Sequence, residues 1–192
     1  MHRIGSLFCL LLAAACGSSG PIAPPAPEAP VSPPVPPTPA IAEAKPEFEI
    51  AHNVLLFPPE LASRRTGDVS FDAAAHVTPA SDATLLYVKS FLEAKEDITL
   101  LRAEVNIQAT FGEKGDLEKS LARGATLKAR MIELGIDPAR LIVVGFGGSK
   151  PCADGTTPEG RAANDRVLFM VASMRGRLIG AFKPDGGGVE VE

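Results

Sequence analysis

The sequence is short of the features that several large function classes need. It has no run of 18 or more apolar residues, so a membrane-spanning helix is not encoded. It has no basic excess: the formal charge is −4 and the pI about 5.5, so electrostatics give no reason to expect nucleic-acid binding. His2, His52 and His76 fall in no metal-ligand spacing such as HxxxH, and no Gly-x-Ser-x-Gly nucleophile elbow occurs. Gly145-Phe-Gly-Gly148 is too short for a dinucleotide fingerprint. No cofactor and no metal are therefore expected. Glu159 and Asp165, six apart beside a short helical stretch, could be paired carboxylates for hydrolysis. Solvated charges are the plainer reading, and the chain is read as non-catalytic.

The front of the chain is an address. Met1-His2-Arg3 is basic, Ile4 to Ala15 is largely apolar and too short to span, and Ala13-Ala14-Ala15 leads into Cys16-Gly17. That is the layout of a secretory signal over residues 1–15. A cysteine directly after small residues resembles the bacterial lipobox, in which the thiol is acylated and becomes the new N-terminus. Leu12 lies one place further back than lipoboxes set it, and ordinary cleavage after Ala15 is the other reading. With Gly17 rather than Asp after Cys16, lipoprotein sorting favours the outer membrane, the folded part facing the periplasm. Cys9 leaves with the signal and Cys16 would carry lipid, so Cys152 stands alone and no intramolecular disulfide is available. Residues 16–46 hold the Pro/Ala-rich stretch, with eleven of the 18 prolines from Pro21 to Pro46. Such a segment favours polyproline II, and residues 17–46 would reach roughly 90 Å at about 3.1 Å per residue. It reads as a tether.

Residues 47–192 carry periodic structure. Phe48, Ile50 and Val54-Leu55-Leu56-Phe57 predict an early strand stopped by Pro58-Pro59, which either joins the sheet or forms a separate hairpin over 47–68. Val69 and Phe71 predict a short strand near 68–72. Thr78-Pro79, a hydroxyl at the N-cap with proline after it, opens a helix over about 79–95, with Leu85, Val88 and Leu92 inward. From Ile98 to Ala109, Leu101, Ala103, Val105 and Ile107 alternate with Arg102, Glu104, Asn106 and Gln108, the pattern of a half-buried strand. A second helix spans about 113–134 and stops at Gly135. Strands over 140–144 and 167–171 flank a helical stretch opened by Thr157-Pro158, and residues 175–192 read as a Gly-rich tail without periodicity. The order predicts one α/β layer structure with both long helices packed on a sheet.

Phe71-Asp72, Thr78-Pro79-Ala80-Ser81 and Ile98-Thr-Leu-Leu-Arg102 resemble the first half of the OmpA-like C-terminal domain. Gly135-Ile-Asp-Pro-Ala-Arg-Leu141, Val144-Gly-Phe-Gly147, Ser149-Lys-Pro151 and Glu159-Gly-Arg-Ala162 through Asn164 and Arg166-Val167 resemble its second half. The likeness covers about residues 69–171 in order, placing the domain at 69–174. The signal, Cys16 and tether resemble the peptidoglycan-associated lipoprotein arrangement. The resemblance implies an α/β, βαβαβ-type fold, a mixed sheet with helices on one face, that holds peptidoglycan non-covalently by gripping diaminopimelate in the peptide stem.

The free end of diaminopimelate is a zwitterion, so its site needs a cation for the carboxylate and an anion for the ammonium. The resemblance places the family's arginine at Arg123, whose guanidinium can fork onto a carboxylate. It places the family's His-Thr-Asp on Asn106-Ile107-Gln108, so the strand-end acid is an amide here. The family's helix Asn is Asp116, its Ala after the arginine is Gly124, and the first Arg of its Asn-Arg-Arg is Asp165. Gln108 can accept from an ammonium without the full charge. That exchanges about 1.5–3 kcal/mol for about 0.5–1.5, on the order of tenfold in affinity. Asp116 would restore the charge if it faced the same pocket. Arg123 also reads as a surface residue paired with Glu118 or Asp116, Arg161 and Arg166 as fold-stabilising residues near the groove, and Asn164 as a cap or turn. The expected protein is an outer-membrane lipoprotein that tethers the envelope to peptidoglycan through Arg123, Gln108, Asp116, Asn106 and Arg166. The alternative is a divergent domain that has lost wall binding and docks other envelope proteins.

Overall fold

The computed structural model describes residues 47–61, 66–180 and 183–192. The signal segment, Cys16 and the tether lie outside the described residues. Among these, seven strands form one mixed sheet: β1 (Glu49–Ala51), β2 (Val54–Leu56), β3 (Ile98–Asn106), β4 (Leu141–Gly147), β5 (Arg166–Met174), β6 (Arg177–Leu178) and β7 (Val189–Glu190). The order is β1-β2-β5-β3-β4-β7, with β6 a short return on β5. Only the β3–β4 pair is parallel; the others are antiparallel. Helix α1 (Asp82–Ala94) makes the crossover from the N-terminal hairpin, α2 (Gly112–Glu133) joins β3 to β4, and α3 (Pro158–Asn164) leads into β5.

The main core lies between the sheet and the two long helices. Leu101, Ala103 and Val105 of β3, Val143 of β4 and Val167, Phe169 and Val171 of β5 meet Leu85, Val88 and Phe91 of α1 and Leu127 and Met131 of α2. Period two on the strands and period 3.6 on the helices thus bring their apolar stripes together. Helix α2 ends at Gly135, whose φ of +91° only glycine adopts freely; Ile136 N–H then donates to Met131 O at 3.0 Å. Arg140 closes the other helix end, donating from Nε to Ile98 O (3.1 Å) and from Nη2 to Leu92 O and Lys95 O (both 3.0 Å). Leu92 O and Lys95 O, at the end of α1, have no intrahelical donor of their own.

Four expectations need correction. The early strand is two: His52 and Asn53, with φ of 51° and 66°, make a tight turn between β1 and β2, and β2 then pairs with β5. The strand near 68–72 reduces to single bridges, Gly67 with Val167 and Phe71 with Val77, because the chain turns back at Asp72, whose N–H donates to His76 O. Thr78 does not cap α1; its hydroxyl meets that of Ser70, and a 3₁₀ turn over Pro79–Ser81 precedes the helix.

The fourth is the tail. Residues 175–192 contribute β6 and β7, and Val191, 6% exposed, packs in the main core while its N–H donates to Val143 O at 2.9 Å. The turn at Lys183–Gly188 lies over the second face of the sheet, where Arg102 Nη1 donates to Pro184 O at 3.0 Å. The polar face of β3 is accordingly not solvated: Glu104 is 2% exposed and pairs with Arg102 (2.7 Å) and Lys150 (3.3 Å).

Candidate functional site

The end of β3, the middle of α2, the 71–77 loop and the α3–β5 junction converge on Arg123. Gly112-to-Glu133 periodicity turns Ser120, Gly124 and Leu127 onto the sheet, which leaves Arg123 one step round the helix, at its edge. Its side chain is 14% exposed, with the guanidinium carbon 5.1 Å from the centre of the Phe71 ring and Nη1 3.3 Å from Asp165 Oδ1. The 71–77 loop is fixed there by Thr126 Oγ1, which donates to Ala75 O at 2.6 Å. Arg123 thus pairs with Asp165, not with Glu118 or Asp116; Glu118 meets Lys114 instead.

Gln108 stands next to this pair. Its main-chain N–H donates to Asp165 Oδ1 at 2.9 Å, its Nε2 donates to Ala109 O at 3.0 Å, and its Oε1 accepts from Asn164 Nδ2 at 2.8 Å. Asn164, 3% exposed, also donates to Ala153 O and accepts from Cys152 N and Ala153 N, so it ties β3's end, the 152–155 loop and α3 together. The turn-forming reading of Asn164 agrees with this geometry. Thr157 caps α3 by accepting from Gly160 N at 3.0 Å, which sets the helix that delivers Asn164 and Asp165.

The other sequence-derived residues take different places. Asp116 is 2% exposed, and its Oδ1 accepts from Thr110 N (3.1 Å) and Phe111 N (2.9 Å). It has no hydrogen bond or ion pair to Arg123 or Gln108: its carboxylate secures the turn into α2 instead. Asn106 is 1% exposed, donates to Glu104 O at 3.3 Å and leaves Oδ1 without a partner. Arg166 donates to Asn164 O (3.3 Å) and Lys150 O (2.9 Å), a main-chain clasp at the start of β5. Arg161 donates to Gly155 O and Thr156 O. Asp165, read from the sequence as a departure from the family pattern and given no part in ligand binding, is the acid that meets Arg123. Its signal was its place beside Asn164, where the family pattern has a base, opposite an amide at 108 where that pattern has an acid.

Among the described residues no group of three or more His, Cys, Asp or Glu could hold a metal ion, and no helix is long and apolar enough to cross a membrane. Cys152 is a free, exposed thiol donating to Ala163 O.

No family model matches the chain. It is 34% identical over 79 residues to outer membrane protein A of Bordetella avium, a match covering 41% of each chain. It is 29% identical over 93 residues to the sodium-type flagellar protein MotY of Vibrio parahaemolyticus, covering 48% of this chain and 32% of that one. The matches therefore span about a third to two-fifths of these relatives' length. Among solved structures, the periplasmic domain of Helicobacter pylori MotB superposes with a TM-score of 0.51 at 17% identity, covering 66% of this chain and 80% of that one. That likeness concerns the fold: a mixed sheet with helices packed on it. The chain thus resembles an OmpA-like domain: part of its sequence is similar to outer membrane protein A, and its fold is similar to that of a MotB periplasmic domain.

Proposed function

We propose that this protein is a non-catalytic cell-wall anchor whose folded domain, residues 47–192, binds the peptide stem of peptidoglycan at its diaminopimelate. The observation that carries the reading is Arg123: a guanidinium held on an aromatic ring, at the junction of α2, the 71–77 loop and the end of β3, beside one partly exposed carboxylate. A cation so placed suits a ligand carboxylate, which a guanidinium can receive with two parallel hydrogen bonds. In this reading residues 1–15 export the chain, lipid on Cys16 holds it to the outer membrane, residues 16–46 span towards the wall, and the folded part faces the periplasm. Gln108 and Asn164 fix the strand end and the α3–β5 junction around Asp165, Arg166 clasps the start of β5, and Asp116 secures the turn into α2.

A second reading is favoured by one observation, the hydrogen bonds that hold both ends of the Gln108 amide, to Asn164 and Ala109. A domain that no longer offers an acid from the strand end could have exchanged the wall for another envelope protein. Sedimentation of the full chain with purified sacculi decides between them. The anchor pellets with sacculi and Arg123→Ala does not, whereas a protein-docking module stays in the supernatant in both forms.

A further inference from the structure

We propose that the anion of the binding site is Asp165: it takes the ammonium of the ligand's free α-amino-acid end while Arg123 takes the carboxylate. This inference rests on the wall-binding reading and adds the residue that gives it selectivity for a zwitterion. The nearby acids are otherwise committed. Asp116 is buried under two main-chain N–H groups, and Asp72 accepts from Ala74 N, His76 N and the His76 ring. Gln108 has its amide oxygen on Asn164 and its amide nitrogen on Ala109 O.

Asp165 is different. Its Oδ1 is oriented by Gln108 N–H (2.9 Å) and faces Arg123 (3.3 Å), while its Oδ2 has no hydrogen-bond partner among the described residues. Its side chain is 40% exposed, against 14% for Arg123. A charge pair at that separation and exposure is weakly held, since water screens it and competes for both groups. A ligand presenting –NH₃⁺ and –COO⁻ from one carbon can enter by exchange. Its carboxylate replaces Asp165 on Arg123, and its ammonium replaces Arg123 on Asp165. The site holds one cation and one anion before and after, so no charge is left unmatched. The reciprocal changes at 108 and 165 then make sense together. An acid lost at the strand end is supplied again from the α3–β5 junction, and the 108 backbone N–H is what aims it.

The test uses the full chain with purified diaminopimelate-containing sacculi and with soluble diaminopimelate. Asp165→Asn keeps an oxygen for Gln108 N–H, so the fold should survive; an unchanged unfolding midpoint verifies this. The expected result is a loss of affinity of about tenfold or more in Asp165→Asn, the difference between a charged and a neutral acceptor. Gln108→Asp added to Asp165→Asn should recover most of it. Diaminopimelate acetylated on its amines should bind wild type and Asp165→Asn equally weakly. If Asp165→Asn binds as well as wild type or more tightly, Asp165 only masks Arg123 and the proposal is overturned. Binding that is lost in Arg123→Ala but kept in Asp165→Asn overturns this inference and leaves the anchor standing. No wild-type binding at all overturns both.

Discussion

Gly124 offers a sharp test of whether the tail belongs to the core. A Cβ at this position would lie 2.8 Å from Val191 Cγ2 and 3.3 Å from Val143 Cγ1. Comfortable carbon contacts are about 3.5–4.0 Å, so the added methyl falls well inside the Val191 surface. Val191 is 6% exposed and branched at Cβ, with few ways to swing clear. Two effects oppose each other in Gly124→Ala. Alanine gains about 1 kcal/mol over glycine in a helix interior, and overpacking a well-filled core costs about 1–3 kcal/mol. The crowding should win by about 1 kcal/mol. Val191→Ala alone loses about 1.5 kcal/mol of apolar transfer plus a cavity term. In that background the clashing atom is gone, and Gly124→Ala should stabilise by about 1 kcal/mol. The sign reversal amounts to a coupling of about 2 kcal/mol, or roughly 4–8 °C in unfolding midpoint for a domain of this size. Thermal unfolding of the four proteins measures it. Midpoint changes that add to within about 0.5 kcal/mol would refute the packing of the tail between α2 and β4.

Asp116 should prove structural: Asp116→Ala is expected to lose about 2–4 kcal/mol by stripping two charge-accepted bonds from the Thr110–Phe111 turn. Asp116→Asn, which can keep both on one oxygen, should lose about 1 kcal/mol and retain sacculus binding, as denaturant titration and sedimentation would reveal. Acid should weaken the fold through Asp82, whose carboxyl the Arg130 guanidinium holds below the usual carboxylate range. Its folded-state value lies below its unfolded one, so its contribution is present above about pH 4 and disappears as pH falls through the lowered value. In a series of unfolding midpoints against pH, Asp82→Asn should therefore be less stable than wild type at neutral pH and converge with it in strong acid.

Much of the fold was legible because its main elements bury one face. Leu101, Ala103 and Val105 announced the inner side of β3, and Leu85, Val88 and Leu92 that of α1. The outer side of β3 was not legible, because what covers it is remote in sequence. Glu104 is buried by Lys150 and Arg102, and Arg102 is in turn held by the Pro184 turn. A tail rich in glycine, with a two-residue strand and one anchoring valine, has no period to read; only the β4 edge and the gap above Gly124 give it a place. At the candidate site, Arg123 and Gln108 followed from the family likeness, and Asn164 from its turn-forming chemistry. The Asp165 pairing required the fold, since 42 residues separate it from Arg123. Asp116 looked like a spare charge until its burial under the Thr110 and Phe111 amides was visible.

The central claim is that Arg123 holds the protein to the wall. Co-sedimentation of the full chain with purified sacculi, wild type beside Arg123→Ala, tests it most directly, with unfolding midpoints confirming that both proteins are folded. The account predicts that wild type pellets and that the substitution lowers the bound fraction as a loss of affinity of about tenfold or more would. A wild-type protein that remains in the supernatant, or two proteins that pellet alike, would contradict it.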